Sequence, residues 1–234
     1  PKELVAELRQ KAVERCEKSP DLYYSEDVER LKRDDWSVRR YLHQHKSKPD
    51  VQKGLEALDK ALKWRKAYGV RELKDTDFAR EGYTSVGAII YGVDHNGTPI
   101  MIMRGKVSKK IKSWMKLAHQ FLVYLVEKVD NSNEGKVNSS IIFKMQTVLE
   151  AVYKMCKSWL NEEQNKYVYL TGKKTITEYV DQDQLPDFLL GTNKTPYRTA
   201  PDGAPTAHEL AEKLGIKPEK ADKLVKHLEK FFEN

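Results

Sequence analysis

"AIIYGVDHNGTPIMIMR", residues 88–104, is where the chain changes period. Before it, apolar residues recur three and four positions apart, as on one face of a helix. Here two apolar runs, 88–93 and 98–104, flank the tetrapeptide DHNG, whose Asn-Gly pair suits a tight turn. The stretch predicts a β-hairpin or two consecutive strands. Pro99 lacks the N–H that a strand interior needs, but it falls at the start of the second run, where that loss is tolerated. The fold class expected is therefore α/β, with a small sheet flanked by helices.

Working back toward the N-terminus, Leu4, Val5, Leu8, Ala12 and Cys16 fall at helical spacing in a segment that should stop before Ser19-Pro20. Ser25, followed by Glu26 and Asp27, reads as the N-cap of a helix carrying Val28 and Leu31, and Asp35 restarts a helix with Trp36, Tyr41 and Leu42. After Pro49-Asp50, Val51, Leu55, Leu58 and Leu62 form a further stripe, with Gly69 as its C-cap. Residues 1–75 read as an N-terminal helical lobe.

Forward of the hairpin, Trp114, Leu117, Ala118, Phe121, Leu122, Leu125, Val126 and Val129 give a helix with a broad apolar face, expected to be buried over much of its circumference. A polar loop follows at 130–140, then a short strand at Ile141 to Phe143 and a helix running to Leu160. KYVYL, 166–170, predicts another strand, and Thr175 to Val180 suits a strand or a helix equally. Pro186 and Gly191 break regular structure, and APDGAP, 200–205, is a linker ahead of a helical hairpin. The expected division is 1–75, 76–199 and 200–234.

The chemistry-bearing residues form no catalytic pattern. The two cysteines, Cys16 and Cys156, have neither pairing nor metal spacing, which suits a reducing compartment; the sequons at Asn96, Asn138 and Asn193 pull the other way. Cys156 shares an apolar stripe with Met145, Leu149, Val152 and Trp159 and has no neighbouring His, so packing is expected of it rather than nucleophilic chemistry. His43 and His45 lie too close in sequence to share a helix face, and no carboxylate cluster completes a metal site. Phosphate-loop, dinucleotide and nucleophile-elbow motifs are absent. No enzyme activity and no cofactor is expected. No apolar run approaches the roughly 20 residues of a membrane-spanning helix, so a soluble, cytoplasmic protein is expected, at the periphery of an intracellular membrane.

The formal charge of +7 favours acidic partners. Lys106, Lys109, Lys110 and Lys112 cluster between the second strand and the long helix, where lysines can hold the phosphates of a lipid headgroup such as a phosphoinositide or touch an anionic membrane surface. The cluster lacks the interleaved aromatics on which single-stranded bases stack. The C-terminal HELAEKLGIKPEKADKLVKHLEKF has the pattern of a helix-turn-helix with Gly215 at the turn, but Pro218, Glu219 and Asp222 stand where phosphate-binding residues would be wanted.

Several of these segments, in order, resemble the CRAL-TRIO family of lipid-binding and lipid-transfer domains. DDWSVRRYLHQHKSKPDVQKGLEALDKALKWRKAYGV (34–70) is similar to the family's N-terminal helical lobe. GVDHNGTPIMIMRGK is similar to its first strands, and QLPDFLLGTNK to its closing L-P-x-x-x-G-G-T. The resemblance covers roughly residues 25–195 and is closest to the CRAL-TRIO domains of motile-sperm-domain-containing relatives, whose W-L-ended helix resembles AVYKMCKSWL. Where the family places a further strand and helix, only NSNEGKVNSS stands between Asp130 and Ile141, so the resemblance implies a shortened variant.

That resemblance, with the apolar stripes, implies a ligand cavity lined by Ile100, Ile102, Phe121, Leu125, Met145, Leu149, Val152 and Trp159, closed by a gate helix at 145–160. The function expected is binding, and transfer, of a phospholipid, sterol or related lipid. Two other readings stand beside it: an interaction module on the same fold that has lost its cavity and binds a protein partner, and DNA binding through residues 206–234.

Overall fold

The computed structural model describes residues 2–42, 48–107, 109–132, 141–144, 168–171 and 176–232. Two compact units divide the chain: one is built on residues up to Arg71 with the short strands near 141 and 168, the other on Glu72–Ser132 and Thr177–Asn234.

In the first unit α1 (Lys2–Glu17), α2 (Ser25–Arg33), α3 (Asp35–Leu42) and α4 (Val51–Tyr68) pack around the stripe legible in the sequence. Val5, Leu8, Ala12 and Cys16 of α1 meet Val38, Tyr41 and Leu42 of α3 and Leu55, Leu58 and Leu62 of α4. The approach is close at Gly54, where an added Cβ would lie 3.1 Å from Leu8 Cδ2. Asp50 caps α4 by accepting from the Lys53 N–H at 3.0 Å, and Gly69, at φ 76°, closes it in the left-handed conformation. Cys16 is an inert member of this core: burial, then the nearby Asp59 carboxylate, pushes its thiol up to about 11.

The start of α2 differs from expectation. Tyr24, not Ser25, takes the N-cap position, and the Ser25 hydroxyl donates to Glu26 instead. Tertiary contacts set this boundary, because the buried Tyr24 ring lies 4.3 Å from Lys66 Nζ and 5.8 Å from the Arg71 guanidinium. Beside it, the buried Asp27 carboxylate accepts from Arg65 Nε at 2.6 Å and from Arg71 Nε at 3.0 Å. Strand β3 (Ile141–Lys144) pairs parallel with β4 (Val168–Thr171), Ile141 opposite Val168, at the two places read as strands.

In the second unit the hairpin is present. Strand β1 (Ala88–Val93) runs antiparallel to β2 (Pro99–Met103), with Ala88 opposite Met103 and a bulge between Ile90 and Val93. Asp94 builds the turn by accepting from the N–H groups of Asn96 at 2.8 Å and Thr98 at 2.9 Å, and Gly97 supplies the positive φ. Residues 177–198 fold back beside β1. A Cβ at Gly92 would meet the Gln184 carbonyl oxygen at 2.0 Å, so only glycine admits this approach. Of the 175–180 stretch, open between strand and helix in the sequence, the described residues form a 3-10 turn at Ile176–Glu178.

The short α5 (Arg80–Thr84) precedes the hairpin, and α6 (Met115–Ser132) packs on both of its strands. Here an expectation fails: of the α6 residues only Leu125 is buried, and Val126 is 54% exposed. A two-stranded sheet is about 5 Å from strand to strand, too narrow to cover an apolar face this broad. Helices α7 (Ala207–Lys213) and α8 (Pro218–Leu228) form the C-terminal hairpin, turned at Gly215. Thr206 and Glu209 make a reciprocal capping box on α7.

The fold is thus mixed α/β and mostly helical, with a two-stranded antiparallel sheet in the second unit. Among the described residues no helix is long and apolar enough to cross a membrane.

Candidate functional site

The second unit holds a cavity of about 250 Å³. Three stretches wall it. The 78–88 segment brings Phe78, Ala79, Gly82 and Ser85; the end of β2 and the turn after it bring Met103, Arg104, Val107 and Lys109; α6 and the turn before it bring Trp114, Leu117, Phe121 and Leu122. Leu224 and Leu228 of α8 complete it.

Each wall is positioned by identifiable contacts. The Phe121 ring lies tilted 5.1 Å from the Phe78 ring and meets the Tyr83 ring edge-on at 5.1 Å. The Tyr83 hydroxyl donates to the Asp75 carbonyl at 2.8 Å, and burial pushes its pKa up, followed by its proximity to Tyr124. Trp114 donates its indole N–H to the Lys220 carbonyl at 3.2 Å, which ties the start of α6 to α8. His227 Nε2 lies 2.9 Å from the Val107 carbonyl oxygen, tying the other end of α8 to the lysine-rich turn. Ala207, Leu210, Ala211 and Ala221 pack with Ala79, Ile111 and Trp114, so the C-terminal hairpin is part of this unit's core.

The sequence placed eight residues on the cavity. Phe121 lines it; Ile102 and Leu125 are buried and Ile100 half-buried, all three off the lining. Met145, Leu149, Val152 and Trp159, with the gate helix, Cys156, His43 and His45, lie outside the described residues. In β2 the cavity takes Met103, on the opposite strand face from Ile100 and Ile102, because successive side chains alternate. Leu224 and Leu228 were missed because the linker at 200–205 suggested a separate hairpin. The signal that could have found them was the apolar stripe Ala221, Leu224, Val225 and Leu228, which needs a partner.

Lys106, Lys109, Lys110 and Lys112 are all exposed, and Lys109 also lines the cavity. Arg104 is buried, its Nη1 3.4 Å from the Ser85 carbonyl oxygen and its guanidinium 4.7 Å from the centre of the Phe188 ring. Burial lowers its pKa, and the like charge of Arg198 lowers it further.

A larger opening in the first unit, about 550 Å³, is rimmed by Glu17, Asp21, Glu26 and Glu29. Its carboxylates make it a poor host for an apolar molecule. Among the described residues no group of His, Cys, Asp and Glu is placed to hold a metal ion. No protein-family model matches this chain.

Proposed function

We propose that the second unit binds a hydrophobic ligand in the cavity between α5, the hairpin, α6 and α8, as a carrier and not as an enzyme. The observation that carries the reading is the cavity itself, walled by Phe78, Trp114, Leu117, Phe121, Leu122 and Leu228. Removing a ligand's apolar surface from water is worth about 25 cal/mol per Å², so about 100 Å² of buried chain contributes roughly 2.5 kcal/mol. A few polar groups at the rim would fix its orientation.

We read this unit further as a shortened CRAL-TRIO-like lobe. In support, the hairpin, the long helix and the QLPDFLLGT segment come in the family's order, with that last segment folded beside β1. The exposed Lys106, Lys110 and Lys112 support peripheral contact with an anionic membrane in the cytoplasm, an attraction that salt would weaken. Exposed apolar residues, Val126 of α6 and Met103 of β2, favour a second reading, a protein-interaction module on the same fold.

Uptake of the neutral fluorophore N-phenyl-1-naphthylamine, followed with mass spectrometry of lipids extracted from the purified protein, tests the two. Saturable uptake that a tryptophan-quenching signal places beside Trp114 is the expected result. An empty protein that takes up no apolar probe overturns the ligand reading and leaves the interaction module.

A further inference from the structure

Gly82 is a glycine that its own surroundings do not require. At Gly92 a Cβ would collide with the backbone of Gln184, but at Gly82 an added Cβ would meet no atom of the described residues within 4 Å. Nor does the backbone ask for it. Gly82 is not among the positive-φ residues and sits at the middle of α5, where its N–H donates to the Ala79 carbonyl at 2.9 Å. Alanine suits such a position better, because glycine loses more conformational freedom on folding.

Gly82 is on the wall of the cavity. The aromatic rings near it in the chain are engaged elsewhere: Phe78 and Tyr83 both pack on Phe121, and the Tyr83 hydroxyl donates to the Asp75 carbonyl. A gap left unfilled forfeits dispersion contacts, so the chain gives up both helix propensity and packing at this one position. Such departures from local preference are expected where a fold serves a ligand. A void of about 150 Å³ takes one benzene ring. In a cavity of about 250 Å³, one aliphatic side chain therefore changes what fits.

We propose that Gly82 sets the length of apolar chain that the cavity accepts, its missing side chain leaving the space in which the end of the ligand lies. The proposal rests on the apolar-ligand reading of the same cavity.

Displacement of N-phenyl-1-naphthylamine from the full chain by straight-chain alcohols, butanol to decanol, tests it. With the unaltered protein each added methylene should improve displacement roughly fourfold until the chain fills the cavity, and then no further. Gly82→Leu should end that gain at a shorter alcohol, while the shortest alcohols bind as before. Gly82→Ala should end it slightly earlier than in the unaltered protein and raise the urea midpoint, so it reports even if the leucine variant fails to fold. The same end point in all three proteins, or a gain that never levels off, overturns the assignment. An equal loss at every chain length means that the new side chain blocks entry, which overturns it too, while the apolar-ligand reading survives. If neither the probe nor any alcohol binds the unaltered protein, the apolar-ligand reading falls and this one with it.

Discussion

The two units of this protein treat apolar surface in opposite ways. In the first, Leu8, Val38 and Leu58 are wholly buried and α4 approaches α1 so closely that only a glycine fits comfortably at position 54. In the second, α6 carries a broader apolar face than any described helix of the first unit, yet buries only Leu125 and borders a cavity. Four helices can interlock their stripes on several sides, whereas a two-stranded hairpin offers one narrow surface. The difference teaches where binding capacity arises: stability comes from stripes that close, and a ligand site from a face that the fold leaves incompletely covered.

The sharpest way to test the closed side of this comparison is its buried charge. Asp27 accepts from both Arg65 and Arg71, and Asp27→Ala leaves two guanidinium groups facing each other with little water. Losing one partner of such a group should cost about 3–5 kcal/mol. Urea denaturation measures it, and amide exchange in α2 and α4 should accelerate with it. A loss below about 1 kcal/mol would mean that water solvates these arginines, and the contrast between the closed packing of the first unit's helices and the open cavity wall of the second would break.

Next in size is a matched pair of truncations. Leu58→Ala, at 1% exposure, should cost about 3 kcal/mol, the transfer term plus a cavity that α1 and α4 cannot close. Leu122→Ala, on a wall that already borders empty space, should cost about 1 kcal/mol. Equal losses at the two sites would show that the cavity wall is packed as tightly as the bundle. The ligand-side counterpart is Leu117→Asp, which places a carboxylate on the half-buried lining. It should lower affinity for N-phenyl-1-naphthylamine about tenfold or more while the denaturation midpoint moves little; unchanged uptake would place the probe elsewhere.

What the sequence made legible follows the same division. In the first unit, stripe, cap and core were readable because each rests on local spacing: Val5, Leu8, Ala12 and Cys16 could face only one way, and Gly69 only end a helix. Even there, Tyr24 displaced Ser25 from the cap because Lys66 and Arg71, distant in sequence, hold its ring. In the second unit the hairpin and its turn were readable, but the cavity was only half so. Strand parity decides whether Met103 or Ile102 faces it, and parity depends on which sheet face is covered, a tertiary fact. Leu224 and Leu228 reach the cavity from more than a hundred residues beyond β2, and no local pattern states that distance.

The smallest effect expected concerns the segment that folds beside β1. The Tyr197 hydroxyl donates to Asp187 and holds that carboxyl below its usual range, with the Phe188 N–H and the charge of Arg198 acting in the same direction. A depressed folded-state pKa adds stability that is fully present above the unfolded value, about 3.9 for Asp, and is lost as pH falls through the folded value. Tyr197→Phe removes the leading cause, so it should lower stability slightly at pH 7, and the gap from the parent protein should close as pH drops below about 4. Asp187 is exposed, so solvent screens much of the interaction and the gap should be the least of those predicted. Urea midpoints at a series of pH values measure it. A gap that stays constant from pH 7 to pH 3 would assign the loss to the T-shaped packing of Tyr197 on Tyr91 and Phe188. Tyr197 would then hold the segment through its ring contacts and not its hydroxyl, closer in kind to the packed first unit than to the polar surroundings of Arg104.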